Sequence, residues 1–375
     1  MDFIWQNCKE TTKYGTINHG DKMKTIYDLT YEQMENMVLE TGWKKFRGKQ
    51  IFQWLYRKRA ISFDDMSDLS NDMRIKLTQE YVIDPLKLVK KQVSKDLTVK
   101  YLFQLQDGSL VETVLMHFDY GKSVCVTSQI GCNMGCTFCA SGINKKTRDV
   151  TSGEMVAQVM YVQRDLDEKE ERVSHVVVMG TGEPFDNYDH VMAFMATINH
   201  DLGIAIGARH ITVSTCGIVD KIRRFAHENV QYNLAISLHA PNDELRSKLM
   251  PINKAYPLSE LMAALREYAE LNNRRLTFEY ILLQGVNDSE ECARQLAQLI
   301  RGLNAYVNLI PYNAVDEHGF KSVSFPQAMR FYDRLCKLNV KCTLRAEHGA
   351  DIDAACGQLR TKYERGERDE YSGKE

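Results

Sequence analysis

The regular alternation of short β-branched runs with helical stretches, from residue 124 onward, is the feature that most limits the possible folds. Six runs predict strands, at 124–128, 173–179, 210–214, 232–237, 276–283 and 306–310. Amphipathic stretches lie between strands, for example at 154–164, 258–271 and 290–301. Such repetition predicts a parallel sheet with right-handed crossovers, and six units are too few to close an eight-stranded barrel. We therefore expect an α/β fold built on a partial (β/α)6 barrel, with its ligand at the carboxyl ends of the strands.

The chain before residue 124 follows two other patterns. Residues 26–81 have helical periodicity, while alternating stretches at 98–103 and 111–114 predict strands joined by a hairpin turn at Asp107-Gly108. The charged, apolar-poor tail from about Thr361 is typical of disorder. The predicted domains are a small N-terminal helical module with its leader at 1–95, a β-hairpin extension at 96–123, the partial barrel at 124–345, and a C-terminal loop that contains Cys356, with the tail, at 346–375.

Charge and hydropathy exclude some classes of protein. The formal net charge is −2, from 48 basic and 50 acidic residues, which excludes a simple polycationic coat for nucleic acid but leaves local patches open. The first residues lack the basic region and apolar run of a signal peptide. No apolar stretch approaches the roughly 20 residues that a membrane-spanning helix needs. We expect a soluble, cytoplasmic protein without membrane contact.

Three of the ten cysteines cluster directly after the first predicted barrel strand: Cys132, Cys136 and Cys139. In a reducing cytosol, clustered thiols indicate metal ligation or redox chemistry rather than a disulfide framework. Thiolates suit zinc or iron–sulfur clusters, and a structural zinc site needs four ligands where this loop supplies three. Three thiolates on a cubane leave one iron open, which can bind the amino and carboxylate groups of S-adenosylmethionine. A zinc knuckle completed by a distant Cys or His is the alternative.

Polar residues follow several other predicted strands. The second strand leads into Gly180-Thr181-Gly182-Glu183-Pro184, where glycines permit close backbone approach and Glu183 could accept hydrogen bonds from a ligand ammonium group. Ser214, Ser237, His239 and Asn313 stand at later strand ends. Each Ser or Asn could equally be a helix cap or turn former, and His239 a structural histidine. Their recurrence at successive strand ends favours a ligand site.

The Cys-x3-Cys-x2-Cys loop, its position after the first strand, and the segment 345–359 around Cys356 together resemble a known family. The chain is similar to the radical S-adenosylmethionine superfamily, and more closely to bacterial enzymes that methylate adenosine C2 in 23S ribosomal RNA and transfer RNA. The resemblance extends from the helical module through Leu359. It implies a [4Fe–4S] cluster on the three cysteines and two S-adenosylmethionine molecules per turnover. The residues that it places around S-adenosylmethionine are Gly182, Glu183, Ser214, Ser237, Leu238, His239 and Asn313.

The resemblance also implies roles for two more cysteines and a glutamate. Adenine C2 is too electron-poor to attack a sulfonium methyl group, whereas a thiolate can do so. By family position, Cys356 first accepts a methyl group, whose carbon a radical step then joins to adenine. Cys125 would remove the C2 proton and form a transient disulfide with Cys356. Glu112 would be an acid/base group, its alternative being a solvated strand carboxylate.

The stretch 44–59 carries seven cations interleaved with aromatic residues and contains no acidic residue. Cations can neutralise phosphates, and aromatic faces can stack on unpaired bases. The alternative without a binding role is a solvated helix face with a buried aromatic stripe. We expect the aromatic residues to lie mainly in the core and the cations mainly to face RNA. The expected partners are 23S ribosomal RNA, transfer RNA and a low-potential electron donor such as flavodoxin, with the chain acting as a monomer.

Three other functions remain open from the sequence. The first alternative, here called the family rival, is a related radical S-adenosylmethionine enzyme. It methylates C8 of the same ribosomal adenosine and confers antibiotic resistance. Its glycine-rich segment tends to carry Ala after the Glu, whereas Pro184 stands here and favours C2. A zinc-stabilised RNA-binding protein belongs to another class and would be colourless after anaerobic reconstitution. A radical enzyme acting on a small molecule is disfavoured by the basic helical module and by Cys356.

Overall fold

A ten-stranded mixed sheet forms the centre of the computed structural model, which describes residues 23–143, 145–313, 319–345, 349, 351–353, 358–364 and 366. The strands are β1 (Lys24–Thr25), β2 (Tyr81–Val82), β3 (Lys87–Val93), β4 (Val99–Gln104), β5 (Leu110–Phe118), β6 (Gly121–Cys125), β7 (Gln129–Ile130), β8 (Arg148–Asp149), β9 (Val173–Val178), β10 (Ile211–Thr215), β11 (Asn233–Ser237), β12 (Leu276–Leu282), β13 (Ala305–Pro311) and β14 (Cys342–Leu344). The helices are α1 (Tyr31–Glu40), α2 (Phe46–Tyr56), α3 (Asn71–Glu80), α4 (Ser152–Asp167), α5 (Tyr188–Asn199), α6 (Val219–Ala226), α7 (Asp243–Leu249), α8 (Leu258–Asn272), α9 (Glu290–Leu299), α10 (Phe325–Lys337) and α11 (Gln358–Glu364).

The parallel part of the sheet is the predicted partial barrel. Strands β6, β9, β10, β11, β12, β13 and β14 pair in parallel in that order, with the crossover helices between them. All six predicted barrel strands are present, although the first is β6 and ends at Cys125 rather than at Ser128. Residues beyond Cys125 still bond across to the neighbouring strand and loop, as Val126 N donates to Val177 O at 3.0 Å. Strand β14 escapes the sequence pattern because its three residues are all half-buried and show no alternation.

The antiparallel strands β3, β4 and β5 extend the barrel sheet on its other side. β5 pairs with β6, so the extension and the barrel share one continuous sheet. The predicted hairpin is present, since β4 and β5 flank Asp107-Gly108 and Gly108 has φ +85°. β3, which the sequence did not predict, is the sheet edge and carries three lysines, a composition that discourages pairing with other chains.

The N-terminal helices pack on the outside of the barrel. The Thr30 side chain accepts from Gln33 N and the Gln33 side chain accepts from Thr30 N, which caps the start of α1. Ile51 and Leu55 are buried on α2. Two long-range contacts dock the helices on the barrel, one from Arg57 Nη2 to the Asp201 carbonyl at 2.6 Å and one from Arg59 to Asp167 at 3.0 Å.

Part of the tail that was expected to be disordered is helical. α11 continues through Glu364, whereas the sequence predicted a disordered tail from about Thr361. The helix forms because Leu359 and Arg360 are buried against β5, a contact between distant parts of the chain that composition does not show. Across the part of the chain that the structure describes, every helix is too short or too polar to cross a bilayer.

Candidate active site

The three-cysteine loop lies at the carboxyl end of the barrel sheet. Cys132, Cys136 and Cys139 are each half-buried, and Gly135, with φ +65°, supplies the left-handed backbone that the loop requires. Burial raises the pKa of the Cys132 thiol to about 11, and burial together with the neighbouring sulfurs raises the pKa of Cys136 further. Such thiols would ionise only beside a positive centre, and a bound metal provides one.

The kind and number of donors in this loop suit a cluster. Among the described residues, no group of three or more His, Cys, Asp or Glu side chains is arranged to hold one metal ion. Thiolates that bind different irons of a cubane need not converge on a single point, unlike the ligands of one zinc ion. The donor set therefore fits an iron–sulfur cluster with one iron left open.

A cavity of about 270 Å³ joins the loop to the strand ends. Eight of the predicted site residues line it: Cys132, Cys136, Cys139, Gly182, Glu183, Ser214, Ser237 and His239. Two of the residues predicted to bind S-adenosylmethionine do not line it. The Leu238 side chain is buried in the core, and Asn313 is exposed outside the cavity lining. The strand ends thus bring together the residues that the sequence could only place one by one.

Glu183 stands in the cavity wall as a buried carboxylate. Its Oε1 accepts from Phe185 N at 2.9 Å and its Oε2 from Cys216 N at 2.7 Å. Burial raises the pKa of this carboxyl group, while the backbone donors lower it. A nearby cationic group would lower the pKa again and stabilise the charged carboxylate. Gly182 is required beside it, since at φ +112° an added Cβ would lie 2.6 Å from Gln129 Cβ.

His239 presents one defined tautomer to the cavity. Its Nδ1 accepts from Ile281 N at 3.1 Å, so the ring proton is on Nε2. Burial, with a smaller contribution from Arg246, lowers the pKa of His239 to about 3. The imidazole is therefore neutral at physiological pH and offers an N–H donor. The structural and functional interpretations of this histidine are compatible.

Arg246, which the sequence did not single out, ties the strand ends together. Its side chain is fully buried, and it donates to the Cys216 carbonyl at 2.6 Å, the Leu238 carbonyl at 3.2 Å and Asn253 Oδ1 at 2.9 Å. These bonds join the ends of β10 and β11 to α7. No motif surrounds this residue in the sequence, because two of its partners are backbone carbonyls, which any residue type can supply.

Glu279 is another residue that sequence reasoning missed, and it lines the cavity. It is buried on β12, and Asn308 Nδ2 donates to its Oε2 at 2.9 Å. Burial raises the pKa of Glu279 to about 7, although Arg345 and Asn308 act against the shift. A carboxylate within an otherwise apolar strand was the available signal.

Cys125 and Glu112 lie on neighbouring strands of the same sheet. Cys125 ends β6, is half-buried and stands opposite Val114 of β5, two residues from Glu112. The Glu112 carboxylate is buried and pairs with Lys100 Nζ at 3.1 Å, so it is not a solvated strand carboxylate. Cys356 lies outside the described residues, and its role stays a prediction.

The basic stretch 44–59 has a mixed role. Its aromatic residues are mainly core, as expected, since Phe52 and Tyr56 are buried. Phe46 is the exception, with half of its surface exposed. Arg57 and Arg59 dock the helical module on the barrel, so at least these two of the seven cations serve the fold.

Known proteins match the chain over nearly its whole length. A family model for the radical SAM superfamily matches residues 126–296, and a model for the ribosomal RNA large subunit methyltransferase N-terminal domain matches residues 24–83. The probable dual-specificity RNA methyltransferase RlmN of Enterococcus faecalis is 57% identical over 350 residues, which cover 92% of this chain and 98% of that protein. The chain belongs to the RlmN family.

Other RlmN relatives and a solved structure agree with this assignment. The probable RlmN of Streptococcus pneumoniae serotype 4 is 58% identical over 342 residues, covering 90% of this chain and 95% of that protein. The crystal structure of a radical SAM methyltransferase from Sphaerobacter thermophilus has a TM-score of 0.86 and 44% identity, covering 89% of this chain and 98% of that chain. The predicted fold and family are confirmed, and radical SAM membership implies a [4Fe–4S] cluster and S-adenosylmethionine as cofactors.

Proposed function

We propose that this radical SAM enzyme forms 2-methyladenosine in 23S ribosomal RNA and in transfer RNA. One observation carries the proposal: the three cysteines of the loop and the strand-end residues Gly182 and Glu183 line a single cavity, in a chain that matches RlmN relatives nearly end to end. The match of residues 24–83 to a ribosomal RNA methyltransferase domain supports RNA as the substrate class. A low-potential donor such as flavodoxin would supply electrons to a monomer.

The cavity residues would hold the cofactors. A [4Fe–4S] cluster on Cys132, Cys136 and Cys139 would supply the electron that cleaves S-adenosylmethionine. Glu183 would face the ammonium group of the methionine part. His239 would donate its Nε2–H to the bound molecule, and the buried cavity would exclude water from the radical.

Three further residues would carry the methyl group. The Cys356 thiolate attacks the methyl carbon of one S-adenosylmethionine, forming a sulfur–carbon bond as the sulfonium carbon bond breaks. The radical that a second S-adenosylmethionine supplies would remove one hydrogen atom from the S-methyl group, and that carbon would then bond to adenine C2. The ring would be restored by loss of one electron, which the oxidised [4Fe–4S] cluster would accept, and of the C2 proton, which Cys125 would take, with Glu112 as a further acid/base group. The Cys125 sulfur then bonds to the Cys356 sulfur, the sulfur–carbon bond breaks, and the carbon takes a proton to become the methyl group. A thiol reductant restores both cysteines.

Nucleoside analysis of cellular RNA tests the substrate and the position of the methyl group. We expect 2-methyladenosine in both 23S ribosomal RNA and transfer RNA from cells that carry the gene, and its loss from both when the gene is deleted. Mass spectrometry would locate the methyl group on the adenine ring. A gene-dependent methyl group at C8 would establish the family rival instead, and unchanged RNA would refute both.

Replacing Cys125 with alanine should trap RNA on the protein. Without the second thiol, the link between Cys356 and the base cannot be resolved by disulfide exchange. We expect a covalent protein–RNA species on denaturing gels and a fall in product release of at least ~10²-fold. Cys336→Ala, at an exposed position on α10, is the matched control and should turn over normally. Normal release by Cys125→Ala would remove Cys125 from the mechanism.

A further inference from the structure

A buried ion pair on the β extension contacts the chain on both sides of the segment that contains Cys356. We propose that Lys100, through its pair with Glu112, is a positioning residue that holds this segment against the sheet face that carries Cys125. The inference rests on the proposed function of Cys356. It assigns the antiparallel strands β3 to β5 a part in the reaction beyond enlarging the sheet.

The pair is buried to an unusual degree for two charged side chains. The Lys100 side chain is 0% exposed and that of Glu112 is 5% exposed, with Nζ 3.1 Å from Oε2. Taking two charges out of water is costly, and a buried ion pair often stabilises a fold no better than two apolar residues would. Stability alone therefore gives little reason for the pair, and the groups that it contacts are more informative.

Those contacts lie on either side of residues 354–357. Lys100 Nζ donates to the Asp353 carbonyl, and Glu112 Oε1 accepts from Arg360 N at 2.8 Å. Each charge thus satisfies a backbone group of the C-terminal segment while it neutralises the other charge. Because only six residues separate Asp353 from Arg360, one ion pair is bonded to the chain on both sides of the short span 354–359, which includes Cys356.

The hairpin between β3 and β4 adds neutral anchors to the first of these ends. Gln92 Nε2 donates to Asp353 Oδ2 at 3.1 Å, and Asp353 N donates to Gln92 Oε1 at 3.3 Å. Further along the hairpin, Lys95 N donates to Asp351 Oδ2 at 3.1 Å. Asp353 is also paired with Lys362 of α11 at 2.7 Å. The described residues of the segment are therefore bound to the extension by side chains as well as by the ion pair.

The register of the sheet places these anchors on the face that includes Cys125. Lys100 stands opposite Val114 across the β4–β5 pair, and Val114 stands opposite Cys125 across the β5–β6 pair. Directly opposed residues point to the same face of a sheet, so Lys100 and Cys125 share a face. Neighbouring strands lie about 4.8 Å apart, so roughly 10 Å separates the two positions. Asp353 and Arg360, the described residues that the pair contacts, are thus held on the sheet face that carries Cys125, the second cysteine of the proposed disulfide.

Lys100→Met tests the role of the pair, and Lys100→Arg tests rescue by a residue that keeps the charge and the donors. Hydrogen exchange would be followed for backbone amides in 349–360, with methylation and 5′-deoxyadenosine formation measured on the reconstituted enzyme. For Lys100→Met we expect exchange at 358–360 to quicken at least ~10-fold and methylation to fall ~10²-fold, with cluster content and 5′-deoxyadenosine formation unchanged. Lys100→Arg should recover much of the loss. Lys91 lies on the adjacent strand β3 and forms a partly exposed ion pair with Asp165 of α4. Lys91→Met, which removes this pair, should behave as the parent.

A second variant covers the risk that an unpaired Glu112 unfolds the sheet. Lys100→Met with Glu112→Gln removes both charges, and it is followed by exchange alone because Glu112 belongs to the proposed catalytic set. Faster exchange confined to the C-terminal segment supports the inference. Unchanged exchange in that segment would overturn the inference, because the pair would then not anchor it. Faster exchange throughout β3 to β6 in both variants would also overturn it, because the pair would then stabilise the sheet alone. If the parent enzyme fails to methylate RNA, the proposed function fails, yet the exchange result still decides whether the pair anchors the segment.

Discussion

Replacing Cys356 with alanine is expected to abolish RNA methylation while S-adenosylmethionine cleavage continues. Without this thiol, no protein group accepts the first methyl group, and adenine C2 cannot accept it directly. The residues around the cavity are untouched, so cofactor binding should persist. We expect at least a ~10³-fold fall in methylated adenosine, equivalent to ~4 kcal/mol of lost transition-state stabilisation. Anaerobic turnover assays that quantify methylated adenosine and 5′-deoxyadenosine separately would measure the loss of methylation and the retention of S-adenosylmethionine cleavage.

The matched control for this experiment is Cys336→Ala, whose thiol is exposed on α10 and belongs to no part of the site. It should retain both activities. A Cys356→Ala protein that still methylates RNA at the parent rate would refute the thiol route altogether. A variant that loses 5′-deoxyadenosine formation as well would place Cys356 in cofactor binding instead.

Replacing Cys136 with alanine should eliminate both activities together. Two thiolates remain, which is one fewer than the loop needs to hold a cubane with a single open iron. We expect loss of iron and of the brown iron–sulfur absorbance, and a fall of at least ~10³-fold in both methylation and 5′-deoxyadenosine formation. Iron and sulfide analysis of the anaerobically reconstituted protein would measure the first effect.

The fold should survive the Cys136 change. The loop backbone is held independently, since Thr137 N donates to the Leu249 carbonyl at 2.9 Å and Cys139 N to the Cys136 carbonyl at 3.2 Å. A circular dichroism spectrum like that of the parent would therefore accompany the loss of iron. Full iron content in Cys136→Ala would show that another residue binds the third iron, and a stoichiometric zinc ion in the parent would favour the RNA-binding rival.

Local patterns predicted much of the fold. Strands such as β9 and β12 are short runs rich in β-branched or aromatic residues, and α4 and α8 have apolar residues at helical spacing, so each was visible without knowledge of its neighbours. β3 and β14 were not, because β3 is a lysine-rich edge strand and β14 has only three residues. Residues 361–364, at the end of α11, were expected to be disordered but are helical, since Leu359 and Arg360 pack against β5.

The same division applies to the site. The sequence by itself determined the cluster loop, the glycine-rich turn and the polar strand ends, because their chemistry depends on residues that are adjacent in the chain. Only the tertiary structure decided that Arg246 joins two strand ends, that Glu279 faces the same cavity, and that Lys100 and Glu112 form a pair touching Asp353 and Arg360. The hydrogen bonds among those contacts join residues from 8 to 253 positions apart. They exist because strand order and register bring distant segments to one face of a sheet, and no local periodicity encodes that order.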